Sequence, residues 1–167
     1  TIGGSPMDHV KALQSTDKTE TGVRFTRWYM DVDPPPFYAA INFPGKINRW
    51  QEMEFISPGT IVLYSGGVDA SRGQDRSDHS HGVHGRYLMA LTPCDKDNCM
   101  VFYSSTRAFL RDVSAVTEKM FNDFTKILTE DASIVEAQHL NLVKYPDRPL
   151  TNIASVSYTH LTLPTIL

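Results

Sequence analysis

One stretch, Ser114 to Lys144, narrows what this chain can fold into more than any other. Apolar residues recur in it at Val116, Met120, Phe124, Ile127 and Leu128, then at Ile134 and Val135, then at Leu142. Steps of three and four place these side chains on one side of a helix, so the stretch predicts a long helix with one buried face. Asp131 interrupts the stripe: it falls where the next apolar residue after Phe124 and Leu128 belongs, and Gln138 follows on the same face. A carboxylate on a buried face is costly unless compensated. Asp131 is therefore expected to meet a cavity, to be hydrogen-bonded, or to bind a cation.

What precedes the helix reads as strands. Thr21 to Met30 sets Val23 and Phe25 against Arg24 and Thr26, the alternation of a half-buried strand, and Asp33-Pro34-Pro35-Pro36 stops it. Phe37 to Gly45 reads as a loop or short helical turn. Trp50 to Ile56 puts Met53 and Phe55 on one face and Glu52 and Glu54 on the other. Ser57-Pro58-Gly59 signals a turn, and Thr60 to Tyr64 completes a hairpin. Ser65 to Gly82, rich in Gly, Ser, Asp and Arg, reads as a long mobile loop. His84 to Leu91 and Met100 to Ser105 make a second hairpin across Thr92 to Asn98.

Thr1 to Thr21, with His9 in it, has no clear period and reads as a surface connection. Asp112 or Ser114 is expected to cap the long helix, and Tyr145-Pro146 to end it. The order is thus about five antiparallel strands followed by one helix. That is an α+β fold in which an antiparallel sheet packs against a long C-terminal helix. The space between the two is the expected pocket, with Asp131 facing it.

Composition closes several alternatives. The chain's 167 residues suffice for one domain with a real core. A net charge of −3 with scattered Lys and Arg lacks the basic footprint of a nucleic-acid binder, and no apolar run is long enough to span a bilayer. Two cysteines, Cys94 and Cys99, make no disulfide framework, so a reducing cytoplasm is the expected location. Residue 1 is Thr rather than Met, and the start is read as cut. At the other end, Val156 to Thr165 (VSYTHLTLPT) resembles one reading frame of a common sequencing adapter. Residues 156–167, His160 included, are set apart from the fold on that reading.

Few residue clusters suggest chemistry. Asp131 alone is either paired with an Arg or backbone group of the sheet, or a metal ligand that needs two or three companions. His79, His81 and His84 lie close together, and H-x-H in an extended segment puts two rings on one side. Their Gly, Ser and Asp surroundings nevertheless read as a solvated loop. Cys94 and Cys99 flank a turn as C-x4-C with no further zinc ligands nearby. His139, a quarter-turn off the apolar face, reads as a rim residue. No Gly-rich phosphate loop, G-x-S-x-G or H-E-x-x-H occurs.

The segment Ile127 to Leu142, ILTEDASIVEAQHLNL, resembles the closing motif of Rieske-type non-haem iron aromatic oxygenases, and among them the vanillate O-demethylase oxygenase group. That group carries E-D-x-x-(I/V/L)-(L/V)-E-x-Q, matched here by Glu130, Asp131, Ile134, Val135, Glu136 and Gln138. Pro35-Pro36-Phe37, Arg49-Trp50-Gln51, Thr92-Pro93, Phe102-Tyr103 and Arg107 follow the family's order. The resemblance implies a helix-grip (START/Bet v 1-like) catalytic domain over residues 1–155. It further implies that Asp131 is the carboxylate ligand of a mononuclear Fe(II), whose two histidine ligands lie upstream of this chain, as do those of a [2Fe-2S] Rieske cluster.

The implied enzyme is a monooxygenase or dioxygenase that uses O2 to hydroxylate or O-demethylate an aromatic substrate. Its electrons come from an NAD(P)H-dependent ferredoxin-type reductase, and its subunits form homotrimers. The chain by itself, with one of three iron ligands, is expected to be inactive, and neither the substrate nor its contact residues can be read. The rival reading is a non-catalytic helix-grip module that holds an apolar small molecule, with Asp131 paired to an Arg. A third is a small metal enzyme built on the histidine loop.

Overall fold

The structure is a computed structural model that describes residues 8, 11–39, 45–72 and 82–149. Its described residues form two compact units, one reaching Phe109 and one beginning at Leu110. In the first, six strands make one antiparallel sheet in chain order: β1 Leu13–Lys18, β2 Gly22–Val32, β3 Ile47–Ile56, β4 Thr60–Asp69, β5 Val83–Pro93 and β6 Cys99–Arg107. A short helix, α1 (Pro36–Ala39), follows β2, and a 3-10 turn, Ala70–Arg72, follows β4. The second unit carries α2, Ser114–Lys144. The fold is therefore α+β, with the predicted helix at the predicted bounds.

Register assigns the two faces of the sheet. Val23, Phe25 and Tyr29 of β2 lie across from Phe55, Met53 and Arg49 of β3, while Arg24 faces Glu54 and Trp28 faces Trp50 on the other side. The alternation expected for both strands holds, and Arg24 donates to the Glu54 carboxylate at 2.8 Å across the pair. At one end the sheet is buried on both faces: Ile47–Trp50, Ser65–Val68 and Val83–Gly85 pair across β3, β4 and β5, and all eleven are buried. Tyr38, Ile47 and Val83 form the apolar cluster of the inner face, with Val32, Phe37 and Phe109 packed on it. β2 ends in an irregularity after Tyr29, where Asp31 takes a positive φ of 53° and its N–H is held by Asn48 Oδ1 at 2.9 Å.

Two expectations change. Leu13–Lys18, read as part of a surface connection, is an edge strand on β2 with all six residues exposed. It is held by backbone hydrogen bonds, and a strand with no buried face shows no alternation to read. Ser65–Asp69, read as the start of a mobile loop, continues β4, so the first hairpin is five residues longer. The glycines that suggested a loop are there for packing. A Cβ on Gly66 would collide with the Trp50 ring, and one on Gly67 would sit 3.1 Å from the Tyr38 ring on the opposite face. His79 and His81 lie outside the described residues, as do His9 and His160.

The helix cap also differs from the expectation. Val113, extended at φ −102° and ψ 96°, is the N-cap, with no side-chain hydrogen bond; its carbonyl accepts from Val116 at 3.1 Å. Neither Asp112 nor Ser114 serves. Tyr145 ends the helix and returns its N–H to the Asn141 carbonyl at 2.9 Å. Among the described residues no helix is long and apolar enough to cross a membrane.

Because the Trp50 ring occupies the space over Gly66, Gly66→Ala forces the ring or the strand to shift. Overpacking of this kind costs about 1–3 kcal/mol. Urea denaturation is expected to show the midpoint lowered accordingly with an unchanged m-value, and an unchanged midpoint counts against this packing.

Candidate functional site

Two groups of residues could carry chemistry, one in each unit. In the second unit, α2 presents Asp131. The first half of the helix follows the predicted stripe, with Met120 buried and Val116, Phe124, Ile127 and Leu128 half-buried. Beyond Leu128 the expected burial ends. Ile134, Val135 and Leu142 are 67%, 61% and 41% exposed, and Asp131, Glu130, Glu136 and Gln138 are exposed with them. Periodicity determines which residues share a face; burial needs a neighbour to cover it. Exposure removes the desolvation cost that first singled out Asp131. The helix around it is ordinary: Thr129 and Ser133 hydroxyls donate to the carbonyls one turn back, at 2.8 and 3.0 Å.

As a metal ligand Asp131 is available, since its carboxylate has no hydrogen-bond or ion-pair partner among the described residues. Among the described residues the Arg pairing that the rival reading expected is not seen. Among the described residues no three His, Cys, Asp or Glu side chains come together in a way that could hold an ion. The described residues therefore hold no complete three-ligand metal centre of their own.

The first unit holds a buried polar cluster on the inner face of its sheet. Arg49 is 1% exposed, and its guanidinium lies over the rings of Tyr29 (4.5 Å) and Tyr38 (5.5 Å). Cation–π contacts of a desolvated Arg are worth about 2 kcal/mol or more. Tyr29 in turn donates to Gln51 Oε1 at 2.9 Å, and the Tyr38 and Ser65 hydroxyls are 3.2 Å apart. Burial pushes the Tyr38 phenol up, against the lowering effects of the Ser65 hydrogen bond and of Arg49. Tyr87, on the same face, is pushed up to about 12, first by burial and second by Tyr38. Burial keeps the Tyr38 and Tyr87 phenols neutral, and Arg49 beside Tyr38 can offset negative charge on an oxygen-bearing group. Reading β3 only from Trp50 hid it: once the strand starts at Ile47, Arg49 falls on the inner face between Ile47 and Gln51.

The remaining candidates have structural roles. His84 stands on β5, where the His84 to Leu91 strand places it, but it is buried rather than solvated, 3% exposed, with Nδ1 2.8 Å from the Tyr64 hydroxyl. Cys94 and Cys99 are exposed free thiols at the β5–β6 turn. That turn is organised by Asp95, whose Oδ1 accepts the N–H groups of Asp97 and Asn98 at 2.8 and 2.9 Å. Those bonds hold its carboxyl below the usual range, Asp97 first. His139 is half-buried on α2.

A helix-grip-like sheet with a long C-terminal helix is the fold of Rieske oxygenase catalytic domains, and solved structures bear the likeness out. Dicamba monooxygenase bound to dicamba matches 91% of this chain and 44% of its own at a TM-score of 0.75, with 15% identity. The same enzyme bound to 3,6-dichlorosalicylic acid matches at 0.77. The chain belongs to the family of vanillate O-demethylase oxygenase C-terminal domains, whose model matches residues 1–158.

Among curated relatives, a toluene-4-sulfonate monooxygenase system iron-sulfur subunit of Comamonas testosteroni is 27% identical over 158 residues, 93% of this chain and 46% of its own length. A vanillate O-demethylase oxygenase subunit of a Pseudomonas species is 27% identical over 143 residues, 81% of this chain and 40% of its own. The chain thus spans about half the length of these relatives.

Tyr87 provides a pH test of the inner face. Its pKa is raised in the folded state, so its stabilising share is complete below the unfolded value of 10.0 and is lost as pH rises through about 12. Tyr87→Phe is expected to soften the fall in stability over that window. It should also remove a component that rises near pH 12 from the tyrosinate absorbance titration; a curve unchanged there would place Tyr87 in solvent.

Proposed function

We propose that this chain is the C-terminal part of the catalytic domain of a Rieske-type oxygenase subunit, acting on an aromatic substrate with O2. The family match over residues 1–158, with the E-D-x-x-I-V-E-x-Q run of α2 inside it, carries the reading. Asp131 is the carboxylate of a two-histidine, one-carboxylate iron site, and both histidines come from the part of the protein outside this chain. Such a set leaves coordination positions open on the metal, and iron held there supplies the activation of O2. The relatives named for vanillate and toluene-4-sulfonate are named for aromatic acids. A buried guanidinium against aromatic rings, as at Arg49 over Tyr29 and Tyr38, suits an interior that receives an aromatic carrying negative charge.

The rest of the assembly is proposed with it. A [2Fe-2S] Rieske cluster lies in the remaining half of the subunit, an NAD(P)H-dependent ferredoxin-type reductase feeds it, and subunits associate as homotrimers in the cytoplasm. This chain alone does not turn over. Whether the reaction is hydroxylation or O-demethylation depends on the substrate.

The test is Asp131→Ala in the intact protein, read by iron content and by the visible spectrum of the cluster. The expected result is loss of the mononuclear iron, roughly one equivalent per subunit, with the cluster spectrum retained. Mononuclear iron kept in that variant sinks the assignment of Asp131. An intact coding sequence without two closely spaced histidines upstream of Thr1 would favour the helix-grip binding module instead.

A further inference from the structure

The face of the sheet opposite Arg49 carries a row of oxidisable rings that the proposed reaction does not use. Register places Trp28, Trp50, Gly66 and His84 side by side across β2 to β5, with Tyr64 next along β4. Trp50, 0% exposed, is the hub: its ring centroid lies 5.5 Å from Trp28, 5.6 Å from Tyr64 and 5.2 Å from His84. Tyr64 and His84 stack at 6.0 Å, within 18° of parallel. We propose that this row is a redox relay in which Trp50 passes oxidising equivalents to Tyr64, and His84 takes up the Tyr64 proton.

Two local features give the relay its direction. The Trp50 indole N–H is buried and has no hydrogen-bond partner among the described residues. Removing an electron from Trp50 leaves a cation whose acidic N–H proton has no acceptor, so the site stays strongly oxidising and draws an electron from a ring in contact. Tyr64 can satisfy that demand, because its hydroxyl lies 2.8 Å from His84 Nδ1, within reach for proton transfer. The Arg86 guanidinium, 4.1 Å over the Tyr64 ring, opposes positive charge there. Electron loss from Tyr64 must therefore be coupled to loss of its phenolic proton.

The step balances. A one-electron oxidant is reduced by one electron; the Tyr64 O–H bond breaks to leave a neutral phenoxyl radical; the proton forms an N–H bond at His84 Nδ1, giving an imidazolium. This requires His84 to begin neutral, protonated on Nε2. The oxidants meant are the one-electron oxidants that O2 activation generates, so the physiological role rests on the oxygenase reading.

The experiment is photochemical oxidation of the purified chain with ruthenium(III) tris-bipyridine made by flash and quench, followed by electron paramagnetic resonance. The expected wild-type product is a neutral tyrosyl radical. Tyr64→Phe, which removes only a hydroxyl, should lower its yield several-fold and leave tryptophan-centred spin. His84→Gln should lower the yield by about tenfold or more, since the general base is gone. Trp50→Phe should slow its formation. Wild-type tyrosyl yield in Tyr64→Phe places the spin on another tyrosine and overturns the relay; wild-type yield in folded His84→Gln overturns the proton-coupled pair. The reaction needs neither iron nor substrate, so its failure and failure of the iron assignment are separate results.

Discussion

The sheet depends on the contact between the Trp50 ring and the backbone of Gly66. A glycine inside a strand sacrifices side-chain packing and carries an entropic cost near 0.5–1 kcal/mol relative to alanine. Here that cost is offset on both faces, because Gly66 and Gly67 let Trp50 and Tyr38 lie directly against β4. Aromatic rings bury more area than any other side chain, and these two close the sheet where β3, β4 and β5 meet. Their neighbours are buried with them whether apolar or not. Arg49, Ser65 and His84 thus lose water and find ring faces and hydroxyls instead.

That burial explains where reactive side chains collect in the first unit. Polar groups that survive in an interior are held in one geometry by their partners, and rigid placement is what a site needs. The inner face gathers a cation and neutral phenols, the outer face a ring row and a tyrosine–histidine pair. Asp131 belongs to a different kind of position. It sits exposed on α2 with no partner among the described residues, and its chemical meaning comes from the family motif around it rather than from local strain or burial.

Much of the architecture was legible residue by residue. Val23 against Arg24 and Met53 against Glu54 announced half-buried strands, and α2 begins and ends where its apolar period does. Legibility failed where the usual signals had a second cause. Gly66 and Gly67 looked like loop residues and are packing residues. Leu13–Lys18 has no pattern because an exposed edge strand needs none. His84 looked solvated in company with His79 and His81, yet one step along β5 buries it. Arg49 was hidden by a strand boundary set three residues late.

By itself, the sequence determined the long helix, the body of strands β2 to β6 and the family. Those depend on local periods, turn residues and short motifs such as Glu130-Asp131 with Glu136 and Gln138, and all of these are properties of neighbours along the chain. Only the tertiary structure decided which residues are buried. It brought Tyr38 onto Ser65, Arg49 between two tyrosines, and Trp50 between Trp28 and His84. Those meetings join residues far apart in sequence through strand register and ring size, and no local period records which rings a strand pairing will bring together.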